Sequence, residues 1–404
     1  MEERELIVFI YLPGESVAVP AGRFVHSGDS GIGSFSYGRR YLERANALPV
    51  DPIALPLGAE PVEVRTNGGL YGAFRDGSPD YWGRLVIAAE AKVPPEALSE
   101  IDFLIDGNAT RVGNLDFRSS PEDTEPPLNP PHFNQLSDVL LAAERIEAGE
   151  EAENHLLYLL RQGSSMGGAR PKCTVDWNDS LWIAKFSSRN DTVNIPRIEY
   201  ATITLAGICG IHIPEVEVRK VGSKDVFLIE RFDRKKVPSG WTRSGFVSAL
   251  SLMQWDESDH LLWDYTEIAA VMRRHMTPSD IEELYRRMVF NILVRNTDDH
   301  PRNHGFLVDE KGMSISPAYD VVPSITRPGV STEFSLAMSV GEHGKIATIE
   351  NALSRAAKFG LPIDKAKTIT EELVETCRKW RVHFKECGVS EKELDILEPS
   401  FAHK

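Results

Sequence analysis

A helix with one apolar face, followed at once by a strongly polar loop, limits how this chain can fold. The apolar side chains recur at helical spacing, at Ile281, Leu284, Tyr285, Met288, Val289, Ile292 and Leu293. Thr277 suits the N-cap position and Pro278 the first helical position. Because such a helix is buried on one side, it can hold the loop 295–304 rigidly. The loop is therefore a candidate position for catalytic groups.

A proline-rich stretch divides the chain, which has 404 residues. Residues 119–131 contain five prolines and three acidic residues, and proline fixes φ and removes amide donors, which favours an extended linker. We predict a small α+β subdomain over residues 1–131, with strands near 6–12 and 62–66 and a turn at 28–33. A second domain is predicted over residues 132–404.

Downstream of the linker, helical and strand-like patterns alternate. We predict helices over 133–161, near 198–209 and through much of 258–296, and a mostly helical tail from residue 349. Strand-like runs lie at 181–186, 226–230, 305–308 and 313–316. This pattern places a Gly-rich loop, residues 163–172, before the first of these strands.

Composition excludes several classes of protein. The net charge is −15, which argues against a broad nucleic-acid-binding face, so we expect any role on DNA to come through a basic partner. No apolar run approaches the ~18 residues of a membrane span. Because the first residues are acidic and no apolar h-region of a signal peptide follows them, we expect no secretory signal. The four cysteines show no C-x-x-C spacing, so we expect a cytoplasmic protein without a disulfide framework or zinc site.

The polar loop carries an aspartate and an asparagine five residues apart, Asp298 and Asn303. Protein kinases space their catalytic aspartate and a magnesium-binding asparagine in this way, because one tight loop then presents the base to the acceptor hydroxyl and the amide to the metal. Both residue types also form ordinary turns, so the spacing alone leaves either interpretation open.

Asp320 extends the kinase pattern. It follows the predicted hairpin 305–316, where kinases place a second metal-binding aspartate. Magnesium prefers oxygen ligands and keeps several waters, so Asn303, Asp320 and the phosphates can suffice to bind it. An ordinary turn aspartate is the alternative.

A lysine in an apolar strand, Lys185, resembles the kinase lysine that contacts phosphates. Glu199 on the following helix could pair with it, although a lysine in such a strand can also face solvent. The preceding loop is not a Walker A motif, because Ala169 and Arg170 stand where glycine and lysine are required. Its glycines, with Arg170 and Lys172, could still surround an anion.

The strand ending at residues 230–233 occupies the place of a kinase hinge, which binds adenine through backbone groups. A strand end with a surface ion pair is an equally simple interpretation. The chain order, however, is a Gly loop, a lysine strand, a glutamate helix, a hinge strand, an Asp-x4-Asn loop, a hairpin and an aspartate. This joint order predicts phosphoryl transfer in a two-lobed, kinase-like α+β fold with a mostly helical C-terminal lobe.

Four segments together resemble the HipA-type toxin serine/threonine kinases. They are residues 164–172, 230–234, 296–303 and 317–320. Residues 76–84, Asp-Gly-Ser-Pro-Asp-Tyr-Trp-Gly-Arg, are also similar to an element of that family's N-terminal subdomain.

The resemblance implies a role for each matching residue. Lys185 would bind ATP phosphates, Asp298 would be the catalytic base, and Asn303 with Asp320 would bind Mg²⁺. Ser165, or Ser164 beside it, would be an autophosphorylation site. The remaining candidate nucleotide-binding residues are Gly167, Gly168, Ala169, Arg170, Lys172, Glu230, Arg231, Phe232, Asp233, His300 and Arg302.

The resemblance also implies partners. We expect a protein substrate, with an aminoacyl-tRNA synthetase as one candidate, a helix-turn-helix antitoxin of the HipB kind, operator DNA only through that antitoxin, and no membrane. The family loop often has glycine and lysine where this chain has Asp299 and Arg302. We expect Asp299 to add negative charge near the phosphates and Arg302 to keep a positive one with different geometry.

Three other functions remain open from the sequence. The first is a kinase of a small hydroxylated metabolite, and the second is an idle protein that only binds the antitoxin. The third is a metallohydrolase built on the Asp-Asp-His-x3-His run, although the run lacks the H-E-x-x-H or H-x-x-E-H spacing.

Overall fold

The computed structural model of the protein describes residues 3–28, 30–163, 168–325 and 334–401. The N-terminal segment forms one antiparallel sheet from β1 Glu3–Ile10, β2 Val19–Ser27, β3 Ile32–Tyr37, β4 Val62–Val64 and β5 Leu115–Arg118, in the order β4-β3-β2-β1-β5. Its helices are α1 Arg39–Leu42, α2 Gly72–Gly77, α3 Tyr81–Ala91 and α4 Glu100–Asp106. The strands predicted near 6–12 and 62–66 are therefore present, with shifted ends.

The proline-rich stretch has no helix or strand between the end of β5 and residue 131, as its prolines predict. It leads into two helices, α5 Leu136–Glu147 and α6 Asn154–Gly163. Gly149 between them has φ +71°, a left-handed conformation that ends the first helix. The helical stretch predicted over 133–161 is thus divided in two.

A four-stranded antiparallel sheet and one helix form the upper lobe. Its elements are β6 Lys172–Trp177, β7 Ser180–Lys185, α7 Ile195–Ile208, β8 Val216–Val221 and β9 Lys224–Glu230, with the strand order β6-β7-β9-β8. Residues of β7 therefore lie in the middle of this sheet, between β6 and β9.

Two small sheets and the remaining helices complete the chain. They are β10 Arg234–Val237, β11 Gly240–Arg243, β12 Gly245–Ser248, α8 Ala249–Leu252, α9 Tyr265–His275, α10 Pro278–Leu293, β13 Gly305–Asp309, β14 Gly312–Ile315, α11 Ile349–Ser354, α12 Ile363–Cys377, α13 Trp380–Glu386 and α14 Glu391–Phe401. β10 pairs with β11, and β12-β13-β14 form a three-stranded sheet. None of the helices in the described ranges is both long and apolar enough to span a membrane.

The predicted helical region 258–296 is two helices because Thr277 is extended, with φ −80° and ψ 159°. Its hydroxyl accepts the amide of Asp280, and the Asp280 carboxylate accepts the amide of Thr277 at 3.0 Å. This capping box starts α10 at Pro278, as the sequence predicts. The apolar face of α10 is buried, so the helix holds the loop that follows it.

Two large hydrophobic clusters form the interior. One joins residues of the N-terminal segment, such as Phe74 of α2 and Phe117 of β5, to the C-terminal helices, including Leu284 of α10. The other joins α5 and α6 to the four-stranded sheet and includes Trp82 from α3. The residues before the proline-rich stretch therefore pack on both halves of the rest of the chain. The domain boundary at residue 131 stays a prediction.

Candidate active site

The centre of the site is a lysine held between two carboxylates. Lys185 Nζ lies 2.5 Å from Glu199 Oε1 and 2.9 Å from Asp320 Oδ1. Lys185 and Glu199 are buried, whereas 40% of the Asp320 side chain is exposed. The predicted Lys185–Glu199 ion pair is thus confirmed, and Asp320 joins it from the other side of the cleft.

Electrostatics keep Lys185 and Asp320 charged. Burial alone would lower the pKa of Lys185, but the charges of Asp320 and Glu199 outweigh burial and raise it. The Lys185 ammonium in turn holds the pKa of Asp320 well below its usual range. The cleft therefore presents a fixed ammonium beside an ionised, partly exposed carboxylate.

The backbone aims Asp320 into the cleft. Asp320 has φ +58°, a left-handed conformation that is uncommon for a residue with a side chain. The segment is fixed by its neighbours, because the amide of Ala318 donates to the carbonyl of His212 at 2.8 Å and the Tyr319 hydroxyl donates to the carbonyl of Arg302 at 2.7 Å. This last bond ties Asp320 to the loop after α10.

That loop presents Asp298 at the surface of the cleft. Partial burial of the carboxyl raises the pKa of Asp298; His300 lowers it and the charge of Asp320 raises it. The net result is a carboxylate more basic than an ordinary aspartate, which suits a proton acceptor. Asn303 Nδ2 donates to the carbonyl of Asp298 at 3.0 Å, which fixes the five-residue turn between them.

The residues fit a divalent metal with hard oxygen ligands. The bond to Asp298 uses the amide nitrogen of Asn303 and leaves its side-chain oxygen for another partner. Asn303 and Asp320 line the same small cavity, and the lowered pKa of Asp320 keeps that carboxylate ionised. An amide oxygen and an ionised carboxylate are ligands that magnesium prefers.

Asp299 is held by a histidine of the same loop. It is buried, and its Oδ1 lies 2.8 Å from Nε2 of His304. His304 also contacts the hydroxyl of Tyr265 at 3.3 Å. Asp299 therefore supports the loop, and it also lines the small cavity of Asn303 and Asp320. The expectation that it adds negative charge near the phosphates stays a prediction.

Arg302 is held by two carboxylates. Its Nη1 lies 2.8 Å from Glu257 Oε1 and 3.5 Å from Asp80 Oδ2. The amide of His300, in the same loop, donates to the carbonyl of Asp298 at 2.9 Å. A role for the side chains of Arg302 and His300 in nucleotide binding stays a prediction.

The Gly-rich loop is only partly described. Ser164, Ser165 and Gly167 lie outside the described residues. Gly168 has φ +106°, and an added Cβ would clash with the ammonium of Lys172. Burial, followed by the charge of Lys185, lowers the pKa of Lys172 to about 8. Lys172 and Lys185, which lie opposite each other on β6 and β7, therefore bring two amines to the same end of the sheet.

The rest of this loop is at the surface. Ala169 is exposed, and the guanidinium of Arg170 is paired with the carboxylate of Asp191. That ion pair holds Arg170 against the segment after β7.

The predicted hinge combines two environments. Glu230 ends β9, and its amide donates to the carbonyl of Glu215 at 2.9 Å. Phe232 is half-buried, and its ring centroid lies 5.9 Å from that of Tyr319, next to Asp320. Phe232 therefore borders the cleft.

The side chains of Arg231 and Asp233, in contrast, do not border the cleft. Asp233 is buried and accepts hydrogen bonds from Arg231 at 2.8 Å, from Arg234 at 2.7 Å and from the amide of Gly113 at 2.9 Å. Arg231 also donates to the carbonyl of Thr110 at 2.5 Å. This cluster, which we call the arginine clamp (Arg231, Asp233 and Arg234), ties the hinge to the N-terminal segment. The side chains of Arg231 and Asp233 are therefore committed to the clamp. Binding of the nucleotide by residues 230–233 through their backbone stays a prediction.

Two residues that support the candidate site were not predicted from the sequence. Tyr319 contacts the catalytic loop and Asp80 contacts the Gly-rich loop, and neither residue was assigned a role from the sequence. The only signal for Asp80 was the resemblance of residues 76–84 to a family element, which carried no assigned role. Tyr319 had no signal other than its place beside Asp320.

A lysine–glutamate pair above a cleft and an Asp-x4-Asn loop below it define a protein of the kinase-like phosphotransferase class. The family model described as HipA-like C-terminal domain matches residues 164–381. The chain belongs to this HipA family of kinases.

Known relatives agree with this assignment. The Sinorhizobium fredii protein "Putative kinase Y4mE" is 26% identical over 368 residues, covering 85% of this chain and 84% of the relative. The serine/threonine-protein kinase toxin HipA of Shewanella oneidensis is 24% identical over 189 residues, covering 39% of this chain and 42% of the toxin.

A solved structure supports the fold. A chain from the complex of Shewanella oneidensis HipA, HipB and operator DNA superimposes with a TM-score of 0.68 at 15% identity, covering 98% of this chain and 96% of that one. The predicted two-lobed, kinase-like α+β fold is thus confirmed.

Proposed function

We propose that this protein is an ATP- and Mg²⁺-dependent serine/threonine protein kinase that acts as the toxin of a toxin–antitoxin pair. One observation carries the proposal. Lys185 is held between Glu199 and Asp320, and the turn of Asp298 and Asn303 lies beside Asp320. Phosphoryl transfer needs this combination of a fixed cation, metal ligands and a base, because catalysis of the reaction is mostly positioning and charge stabilisation.

Each residue has a distinct task in this proposal. Lys185 binds the phosphates of ATP, while Asn303 and Asp320 hold magnesium, which neutralises charge on the phosphates when bound. The carboxylate of Asp298 accepts the proton of the acceptor hydroxyl as the hydroxyl oxygen attacks the γ-phosphorus. The bond from this phosphorus to the bridging oxygen breaks, and ADP leaves. The raised pKa of Asp298 makes this transfer easier than at an ordinary aspartate.

Surrounding groups would bind the remainder of the nucleotide. The backbone at residues 230–233, beside the ring of Phe232, would flank the adenine. Gly167, Gly168 and Ala169 would belong to the loop that borders the phosphates, and the amine of Lys172 would add a positive charge. We also propose Ser165, or Ser164, as the site of autophosphorylation.

The partners follow from the relatives. The Shewanella oneidensis relative is named a serine/threonine-protein kinase toxin, and the structure of similar fold is a complex with HipB and operator DNA. We propose a HipB-like helix-turn-helix antitoxin and a protein substrate for this chain. Because the net charge is −15, operator DNA would be reached through the antitoxin.

Replacement of Asp298 by alanine tests the proposal. We expect transfer of the γ-phosphate of ATP to protein to fall by about 10²–10⁴-fold, the usual contribution of a general base, and growth inhibition on expression to disappear. The matched control is Asp309→Ala, which removes an exposed aspartate from the nearby hairpin.

The outcomes separate the competing functions. An Asp298→Ala variant as active as the wild type would contradict the proposal. Label that enters only an added small molecule would indicate a metabolite kinase. A wild-type chain that shows no saturable ATP binding would indicate an antitoxin-binding protein without catalysis.

A further inference from the structure

The N-terminal segment reaches the cleft through one short stretch at the junction of α2 and α3, residues 76–84, which we call the junction segment. Its ends are fixed to different parts of the molecule. Asp76 is buried and accepts the amide of Ser248 at 2.7 Å and the Ser248 hydroxyl at 2.8 Å. The next amide, of Ala249, donates to the carbonyl of His304 at 2.8 Å. The start of the junction segment is therefore fixed to the end of the catalytic loop.

The other end is fixed to the upper lobe. Trp82 is 1% exposed and packs in the hydrophobic cluster of α5, α6 and the four-stranded sheet. Its indole Nε1 donates to the carbonyl of Lys172 at 2.9 Å, and its amide donates to the carbonyl of Gly168 at 3.3 Å. The junction segment thus spans from one side of the cleft to the other.

Asp80 lies between these two ends and contacts both loops of the site. Its Oδ2 accepts the amide of Gly168 at 3.1 Å and lies 3.5 Å from Nη1 of Arg302. Its Oδ1 accepts the amide of Tyr81 at 2.9 Å, which caps α3. A helix cap needs only the last of these contacts. The other two join the Gly-rich loop to the residue next to Asn303.

The partner of Asp80 is itself held in place. Arg302 also pairs with Glu257 at 2.8 Å, and Glu257 accepts from Arg75 at 3.0 Å. The Arg302 side chain is only 19% exposed. Since Arg302 adjoins Asn303, a displacement of its side chain is transmitted directly to the proposed metal ligand.

We propose that Asp80 is a positioning residue for phosphoryl transfer, which holds the Gly-rich loop at Gly168 and the catalytic loop at Arg302 at a fixed separation. The role rests on the proposed function, because it has meaning only if ATP phosphates and magnesium lie between these loops. In this role Asp80 contacts neither the phosphates nor the magnesium. It acts through the two loops that contact them, where small displacements lower the rate strongly.

The test is a double-mutant cycle on Asp80 and Arg302 in the full chain, with ADP release from MgATP as the activity. We expect Asp80→Ala to lower kcat/KM for ATP by at least about tenfold, because a displacement on the order of 1 Å in such a site can cost about 10²-fold. In the Arg302→Ala background, Asp80→Ala should lower kcat/KM by no more than about threefold. Either substitution alone already breaks the same link between the two loops. Asp80→Asn, which keeps the acceptor for Gly168 but not the charge, should fall between wild type and Asp80→Ala.

Asp264→Ala is the matched control for folding. Asp264 also caps a helix, α9, and its carboxylate also lies near an arginine, 3.6 Å from Arg355. We expect a similar fall in melting temperature for Asp80→Ala and Asp264→Ala, with kcat/KM reduced only in Asp80→Ala.

Three results would overturn the positioning role. They are a wild-type kcat/KM in Asp80→Ala, fully additive losses in the cycle, and an equal loss of kcat/KM in Asp264→Ala. A wild-type chain without ATP turnover would instead contradict the proposed function, and the positioning role with it.

Discussion

Two clusters of buried charge stand at opposite ends of the strand pair β7 and β9, and they differ in what they leave open. The lysine cluster, Lys185 with Glu199 and Asp320, ends in a carboxylate that is 40% exposed. In the arginine clamp, the Arg231 and Arg234 side chains are 0% exposed and the Asp233 side chain is 3% exposed. In the sequence the two clusters look alike, because each has a charged residue at the end of an apolar strand.

The difference indicates which cluster can do chemistry. In the arginine clamp, the oxygens of Asp233 accept hydrogen bonds from two guanidinium groups and from the amide of Gly113. It joins the hinge to the N-terminal segment and presents no charge to the cleft. The lysine cluster keeps one carboxylate partly in solvent, where a metal or a phosphate can reach it. Exposure at the end of an ion-pair network, rather than the presence of charge, therefore separates the candidate site from the scaffold.

The largest effect on stability is expected in the arginine clamp. Asp233→Ala leaves Arg231 and Arg234 buried without their shared carboxylate, which typically costs about 3–5 kcal/mol. We expect that loss in the free energy of unfolding, measured with urea. The control is Asp395→Ala, which removes a partner of the exposed Arg381 and should leave unfolding unchanged. Equal stability of Asp233→Ala and wild type would remove the distinction between the two clusters.

The opposite pattern is expected in the lysine cluster. Asp320→Asn should lower kcat/KM for phosphate transfer by about 10²–10³-fold, as when a preorganised charge-stabilising group is lost. Its effect on unfolding should be within about 1 kcal/mol, because the Lys185–Asp320 pair is partly exposed and Lys185 keeps Glu199. Steady-state kinetics and urea unfolding of one preparation measure both quantities.

Asp309→Asn, in the hairpin before Asp320, controls for a general loss of negative charge. If Asp320→Asn unfolds the protein as readily as Asp233→Ala, the lysine cluster is a scaffold as well.

A change of pH should distinguish the two clusters without any substitution, and with the smallest effect of the three tests. The pKa of Asp298 is raised by partial burial, so the base gains its proton while the pH is still above the ordinary aspartate value. Burial alone would raise the pKa of Asp233, but Arg231 and Arg234 hold it well below its usual range. The stability from Asp233 is thus fully present above the unfolded pKa and is lost as pH falls through the folded one.

Activity should therefore fall before stability does on acidification. We expect kcat to decline about tenfold per pH unit below the pKa of Asp298, while circular dichroism still reports a folded chain. Activity and folded signal that fall together would contradict this order.

Much of the local structure could be predicted from the sequence. The capping box at Thr277 and the apolar stripe of α10 placed the start of that helix at Pro278. The hairpin predicted at 305–308 and 313–316 is present as β13 and β14, within a residue at each end. Lys185 and Glu199 are 14 residues apart, on a strand and the next helix, so kinase-like spacing was enough to pair them.

The errors concern partners that are distant in the chain. The sequence did not indicate that the carboxylate of Asp233 meets the amide of Gly113, which is 120 positions away. The N-terminal sheet was only partly predicted, because β1 pairs with β5, more than a hundred residues away. Hydrophobic alternation indicates that a strand exists but not which strand it joins.

The sequence by itself determined the local elements, their order and the residue types that phosphoryl transfer needs, because capping, turns and periodicity act between residues a few positions apart. Only the tertiary structure decided which charges meet. Lys185 and Asp320 are 135 positions apart, and Asp80 and Gly168 are 88 apart. Such pairs form when packing of the two hydrophobic clusters brings their elements together, and burial then decides whether a charge faces the cleft or the interior.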